Sequence, residues 1–319
     1  MTPWEQAAEE AYALGAARPT EQEDVPASHA LGRTLAAEVR SGRALPTFDN
    51  SAMDGWAVAG EAPWRQGAPV LAGDAPDGRV LQSGEARPIA TGAPVPPGTL
   101  GILRAEAGIV DTVDGGTLVD TLGAPEPGQD IRLRGGEVDV GEVLLTTGEV
   151  VGPPALGLLA AAGVARVPVR EPAVVDFLPI GDELSGAAGV PGRVPDALAP
   201  MMPALLGPYG AECSVRTPIP DRTGALLDAL AAGTAATLVT SGGTAHGPAD
   251  VVRPALDALG ARILVDGMAV RPGGSVILAE LPDGRALLAL PGNPLAAVVG
   301  ALLLAGPLLL GRLLRPLPT

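Results

Sequence analysis

Thr237-Leu238-Val239-Thr240-Ser241-Gly242-Gly243-Thr244 reads as a short strand running into a glycine turn. The figure occurs twice more. Ala173-Val174-Val175-Asp176-Phe177-Leu178 leads into Pro179-Ile180-Gly181-Asp182-Glu183-Leu184, and Ala286-Leu287-Leu288-Ala289-Leu290 leads into Pro291-Gly292-Asn293-Pro294 and a helical stretch. From about Glu171 strands and helices alternate, the pattern of an open, mostly parallel α/β sheet. In such sheets ligands bind at the carboxyl ends of strands, where glycine turns and helix N-termini favour anions. One such turn carries little information, but three in one domain make a phosphate-binding edge. No Walker-type Gly-Lys-Ser/Thr and no G-x-G-x-x-G occurs, which disfavours ordinary NTPase and dinucleotide readings.

Upstream the texture differs. From Ala57 to about Asp130, short apolar runs such as Pro69-Val70-Leu71-Ala72-Gly73 and Gly108-Ile109-Val110-Asp111 alternate with Gly and Pro turns. That rhythm suggests a small β domain inserted into a larger unit. Within it, Ile89-Ala90-Thr91-Gly92-Ala93-Pro94-Val95-Pro96-Pro97-Gly98 offers a hydroxyl and backbone amides. It is either a hairpin loop or a lip over a ligand. Just ahead lies Thr47-Phe48-Asp49-Asn50-Ser51-Ala52-Met53-Asp54-Gly55-Trp56-Ala57, polar, irregular and flanked by bulky anchors. Taken alone, this run reads more readily as a plain surface turn than as a binding loop. Arg132 and Arg134 fall on one side of an extended segment, placed to grip one phosphate or to pair with nearby carboxylates.

The remaining segments read simply. A helix is expected over residues 3–15, with Thr2 as N-cap, Pro3 in the first turn and Trp4, Ala8 and Tyr12 on one face. Val25 to Ala36 reads as strand, turn and short helix, with His29 structural. A further helix runs through Ala155–Ala162 and stops at Gly163.

The formal net charge of -15, with no basic cluster, argues against nucleic acid or an anionic membrane as partner. Every basic residue apart from the two histidines is arginine, so an anionic substrate is held by Arg, backbone N–H groups or a metal ion. Cys213 is the single cysteine, which suits a reducing cytoplasm, and His29 and His246 are too far apart in sequence to suggest a histidine metal site. The first residues lack the basic start and apolar core of a signal peptide. Pro294 to Gly311 carries no charge and approaches the length of a membrane span. Gly300, Gly306 and Pro307 interrupt it, and two short buried helices are the preferred reading.

These parts together resemble one family. Phe48-Asp49-Asn50-Ser51-Ala52-Met53-Asp54-Gly55 resembles the signature of the molybdopterin molybdenumtransferases, the bacterial MoeA proteins and their gephyrin E-domain relatives. Thr91-Gly92-Ala93-Pro94-Val95-Pro96 is similar to that family's second loop. Gly181-Asp182-Glu183-Leu184, Thr240-Ser241-Gly242-Gly243 and Leu290-Pro291-Gly292-Asn293-Pro294 resemble its later turns, in the right order.

The resemblance implies a multidomain α/β protein. Residues 1–46 and 131–168 form a discontinuous N-terminal α+β dimerisation domain, 47–130 an inserted β domain, and 169–319 the molybdopterin-binding α/β domain. It implies insertion of molybdate into adenylylated molybdopterin with Mg²⁺, AMP leaving, in a cytoplasmic homodimer that deals with other molybdenum-cofactor biosynthesis proteins. Carried over by motif, the catalytic residues are Asp49, Asp54, Thr91, Glu183 and Asp250, with Asp54, Glu183 and Asp250 as metal ligands. Ser51, Arg132, Arg134, Gly181, Asp182, Ser241, Gly242, Gly243, Arg271, Pro291, Gly292, Asn293 and Pro294 are carried over as substrate-binding.

The departures fall mostly in the α/β domain. Pro179-Ile180 stands where the family commonly has Ser-Thr, and Asp196-Ala197-Leu198 where it has Asp-Ser-Asn. Pro248 replaces an acid, and Arg271-Pro272-Gly273-Gly274-Ser275 lacks the second cation of Lys-Pro-Gly-Lys-Pro. Arg134-Gly135-Gly136-Glu137 replaces Arg-Gly-Glu-Asp, and the family's C-terminal β domain is not expected after Thr319. Each lost charged hydrogen bond to phosphate costs about 1.5–3 kcal/mol, so weaker nucleotide binding is expected. An alternative function follows: a non-catalytic relative that binds molybdopterin or a partner protein without metal insertion.

Overall fold

A computed structural model describes residues 1–113, 116–121, 123–184, 190–244 and 250–318. The chain divides into two compact units. The first comprises Met1–Glu38, Leu145–Leu156 and Arg166–Thr319, and the second Val39–Leu144 and Gly157–Ala165. The segment 47–130 lies wholly in the second unit and 169–319 wholly in the first, while 1–46 and 131–168 are shared between them.

The first unit is built on a six-stranded sheet. Ala211–Val215, Ala173–Pro179, Thr237–Ser241 and Ala286–Leu290 lie side by side in parallel, followed by Ile277–Glu280 and Arg262–Asp266, each antiparallel to its neighbour. The sheet is therefore mixed, and a hairpin explains where it reverses. Leu281 N–H donates to Arg285 O across Pro282-Asp283-Gly284, with Gly284 at a φ of +82° that a side chain resists. The expected strands at 173–178, 237–240 and 286–290 are present.

Both faces of this sheet are covered, so its central strands are apolar throughout rather than alternating. Phe177, Val239 and Leu288 pack with Ala7, Ala11, Leu304 and Leu308 on one side. Leu178, Leu238 and Leu287 pack with Leu226, Leu230 and Leu256 on the other. Each fully buried side chain of this size contributes about 1.5–3 kcal/mol. A separate two-stranded ribbon pairs Gln22–Pro26 with Arg166–Arg170.

Two helices cross at very short range. The first spans Trp4–Ala16, and its buried face is Ala7, Ala11, Leu14 and Gly15. A Cβ on Gly15 would lie 2.1 Å from Leu308 O, and one on Gly311 would lie 2.2 Å from Tyr12 O. Backbone touches backbone here because neither crossing residue has a side chain. Thr2 does not cap this helix, since its N–H bonds Gly267 O and its O accepts from Ala269 N–H in an edge bridge.

The apolar run near the C-terminus departs from expectation. It is one continuous helix, Pro294–Arg312, rather than two short ones. Residues Ala301–Ala305 widen into a π segment, with Gly306 N–H bonded to Ala301 O, just before Pro307. That wider turn gives room to the proline ring, which has no N–H to continue an α-helical ladder. Two-thirds of the span is buried in the unit's own core, which accounts for its apolarity.

The second unit carries another six-stranded sheet, in the order Gly101–Arg104, Gly55–Ala59, Glu85–Ile89, Trp64–Gln66, Gly116–Asp120, Ile109–Val113. Trp64, Val58, Leu103 and Val119 fill one face, and Ala57, Ile89 and Ile102 the other. Pro153–Ala161 is helical as expected, with Gly163 at φ +71° just beyond it. No short helix follows Val25; Ala27–His29 makes a single 3₁₀ turn.

Candidate functional site

The predicted site residues fall into two groups, one in each unit. In the second unit the run 49–54 and the Thr91 loop are stitched together by backbone bonds. Ser51 N–H donates to Ala93 O, Gly92 N–H to Ser51 O and Val95 N–H to Asp49 O, at 2.8–3.0 Å. Ser51 is fully buried, and its hydroxyl donates to Met53 O at 2.6 Å, so it shapes the turn from inside. Asp49 Oδ1 accepts from Arg134 N–H at 2.7 Å. Gly55 starts the strand that follows, hard against its neighbour; a Cβ there would lie 2.0 Å from Leu103 O.

The outcome of this stitching is the placement of Asp54. Its Oδ1 accepts from both Thr91 N–H (2.6 Å) and Thr91 Oγ1 (2.8 Å). Thr91 N–H, and then its hydroxyl, hold the Asp54 carboxyl below its ordinary value of 3.8. Both side chains are exposed, and among the described residues nothing else bonds this carboxylate. An ionised, fixed oxygen donor facing solvent is what a hard cation or an oxyanion's metal partner requires. Arg132 and Arg134 are also exposed, but the strand Ile131–Arg132 ends before Arg134 and the chain turns. They do not share a strand face as expected, because Arg134 is drawn into the turn by its N–H bond to Asp49.

In the first unit the three glycine turns meet at the carboxyl edge of the parallel strands. Ile180 N–H donates to Ser241 O at 2.8 Å, and Gly242 N–H donates to Leu290 O at 3.0 Å. Gly242 has φ +88°, and a Cβ on it would lie 2.4 Å from Ile180 O, so only glycine fits. Gly292 packs against Gly242 from the third turn. A cavity of about 280 Å³ opens beside them, lined by Ile180, Glu183, Ser241, Gly292, Pro294 and the segment Val194–Leu198. Asn293 Oδ1 accepts Ala296 N–H at 3.1 Å, capping the long helix whose first turn borders this cavity.

Glu183 is exposed, with its carboxylate folded back over Gly181, where a Cβ would lie 2.5 Å from Oε2. Asp182 N–H donates to Asp221 Oδ2 at 2.9 Å, which ties this turn to the loop after the edge strand. Sequence reading passed over Asp221; its only signal was a carboxylate after Pro220, a turn position. Asp196 Oδ1 accepts from Leu198 N–H at 2.9 Å and Ala199 N–H at 3.0 Å.

Asp250 and Arg271 belong to none of the three turns and do not line that cavity. Asp250 sits ahead of the helix Val252–Leu259; its Oδ1 accepts Arg253 N–H at 3.1 Å and its Oδ2 accepts Arg253 Nη1 at 2.8 Å. Arg253 also donates to Thr244 O and Asp266, and these carboxylates, Asp266 first, stabilise its charged form. Asp250 therefore anchors the Ser-Gly-Gly-Thr turn through Arg253. Arg271 lines a second cavity, of about 550 Å³, with Arg253, Asp266, Gly273, Gly274 and Ser275. Among the described residues no three His, Cys, Asp or Glu side chains converge as metal ligands; His246 and Pro248 lie outside the described residues.

Comparison with known proteins covers both units. Residues 2–163 match the MoeA N-terminal region (domain I and II), and residues 177–311 match a probable molybdopterin binding domain. Molybdopterin molybdenumtransferase 2 of Mycobacterium tuberculosis H37Rv is 35% identical over 297 residues, covering 86% of this chain and 71% of the relative. The molybdopterin molybdenumtransferase of Synechococcus elongatus is 32% identical over 311 residues, covering 90% and 75%. The crystal structure of a MoeA protein from the archaeon Pyrococcus horikoshii superposes with a TM-score of 0.80 at 27% identity, covering 99% of this chain and 81% of that one.

Proposed function

The chain belongs to the MoeA family, and on that premise we infer that it is a molybdopterin molybdenumtransferase acting in molybdenum cofactor biosynthesis. The observation that carries this reading is the Asp54–Thr91 pair, held ready on the run that resembles the family's signature. Relatives that cover both units bear the transferase name, which disfavours the non-catalytic alternative.

The substrates of the reading are molybdate and adenylylated molybdopterin, with AMP as the leaving product. In this reading the phosphate sits at the three glycine turns and the first turn of the long helix, which Asn293 caps, and needs no lysine. Asp54 in the second unit and Glu183 in the first are each a hard oxygen donor of the type that suits Mg²⁺; Asp250, already matched by Arg253, fits less well. Bound there, Mg²⁺ supplies Lewis-acid neutralisation of phosphate or molybdate oxygens. The chain's own residues hold and orient: Thr91 fixes Asp54 and favours its charged form, and Asp221 fixes the Glu183 turn through Asp182. No general base titrating near neutrality is called for when the work is positioning and charge neutralisation. The division into 1–46 with 131–168, 47–130 and 169–319, the homodimer and the cytoplasmic setting belong to the same reading.

The test is AMP release from adenylylated molybdopterin with molybdate and Mg²⁺. Turnover that stops on chelation and resumes with Mg²⁺ is expected. Pterin binding with no AMP release overturns the enzyme reading, and turnover indifferent to chelation removes the metal. Analytical ultracentrifugation checks the dimer.

A further inference from the structure

The turn that carries Asp54 rests on two backbone posts. Ala52 N–H donates to Asp130 O at 2.8 Å, and Ala105 N–H donates to Asp54 O at 3.0 Å. The residues that supply the posts are themselves joined. Arg104, next to Ala105, donates from Nε to Asp130 Oδ2 at 2.8 Å and from Nη2 to Oδ1 at 3.0 Å. This fork-to-fork pairing fixes both distance and orientation, which a single contact does not.

Asp130 has φ +56°, a left-handed conformation that non-glycine residues adopt rarely. Such a backbone persists only where surrounding contacts over-determine it. Here the contacts are the carbonyl held by Ala52 and the carboxylate held by Arg104. The pair adds little to global stability, because Arg104 is half-exposed and surface ion pairs contribute little. What it does have is reach, since one ion pair spans both ends of the Ala52–Asp54 turn.

We propose that Arg104 and Asp130 are positioning residues, whose ion pair locks the turn that sets the Asp54 carboxylate against Thr91. The proposal rests on Asp54 being the working carboxylate of the transferase reading. Loss of the pair lets Ala52 and Asp54 move independently, so Asp54 spends less time in its Thr91-bonded position. The rate then falls while the substrate surface stays intact.

The experiment compares Arg104→Ala, Arg104→Lys, Asp130→Gly and Asp54→Asn in the full chain, by AMP release and thermal melting. Asp130→Gly keeps the left-handed backbone and removes only the carboxylate. We expect Arg104→Ala and Asp130→Gly to lower kcat by about ten- to a hundredfold. KM for the pterin and the melting temperature should barely move, and Arg104→Lys should restore part of the rate. If Asp54→Asn is inactive while Arg104→Ala and Asp130→Gly turn over at full rate, the positioning role is wrong and the site reading stands. A rate loss matched by a fall in melting temperature, without rescue by lysine, likewise reduces the pair to a structural role. If Asp54→Asn itself turns over normally, the site reading fails and takes this proposal with it.

Discussion

Thr91 donates twice to one oxygen of Asp54, from its backbone N–H at 2.6 Å and from its hydroxyl at 2.8 Å. One residue therefore fixes the carboxylate and favours its charged form. Asp54→Asn is expected to cost at least about a hundredfold in turnover, since it removes a fixed charge from the reacting region. Thr91→Val, which keeps the larger backbone contribution, is expected to cost about tenfold. Both are read by AMP release under saturating substrate.

The same bonds give a pH dependence. Asp54 has its carboxyl lowered from 3.8 in the folded chain, so it binds fewer protons folded than unfolded. Its contribution is complete above the unfolded value and is lost only as pH falls through the lower folded one. Carboxyl NMR should place the Asp54 midpoint below 3.8, and Thr91→Val should move it upward. An unchanged midpoint would show that the hydroxyl has no part in it.

Gly242→Ala combines a left-handed backbone with a Cβ 2.4 Å from Ile180 O, and the facing atom is backbone that has nowhere to go. A loss of about 2–4 kcal/mol is expected, from strain plus displacement of the meeting turns. Gly157→Ala is the contrasting control. It lies in the helix Pro153–Ala161 with nothing within 4 Å of a new Cβ, and should stabilise by about 0.5–1 kcal/mol. Chemical denaturation of both variants checks the sign of each.

Gly15→Ala drives a methyl to 2.1 Å from Leu308 O at the crossing of the first and last helices. A penalty of about 3 kcal/mol or more is expected, although alanine is the better helix former, because overpacking outweighs propensity there. A variant as stable as the parent in denaturant titration would mean the helices part without cost.

Burial, and then the neighbouring Asp176 carboxylate, push the Cys213 thiol up to about 11. It should resist a thiol reagent at pH 8 in the native chain and react fully once unfolded. Fast native labelling would contradict that.

Much of the fold was legible in residue order. The strands ending at Pro179, Ser241 and Leu290 announced themselves, because apolar runs closing on glycine have few other readings. Residues 47–57 gained meaning only beside the later turns, since a polar loop by itself has no periodicity to read. The terminal helix was misjudged at Pro307, where a π turn supplies the room that an α ladder lacks.

The sequence by itself determined which residue types are available: many carboxylates, a lone cysteine, arginine without lysine, and glycines at three strand ends. Tertiary structure alone decided which of these meet. Asp54 and Thr91 are 37 positions apart, Arg104 and Asp130 are 26 apart, and Asp182 and Asp221 are 39 apart. Asp250 showed the opposite case, a carboxylate that local order offered freely and that the folded chain gave to Arg253. Hydrogen bonds act over about 3 Å in space, and propensity acts over a few residues in sequence. Contacts of that separation exist only once the sheet and its loops have closed.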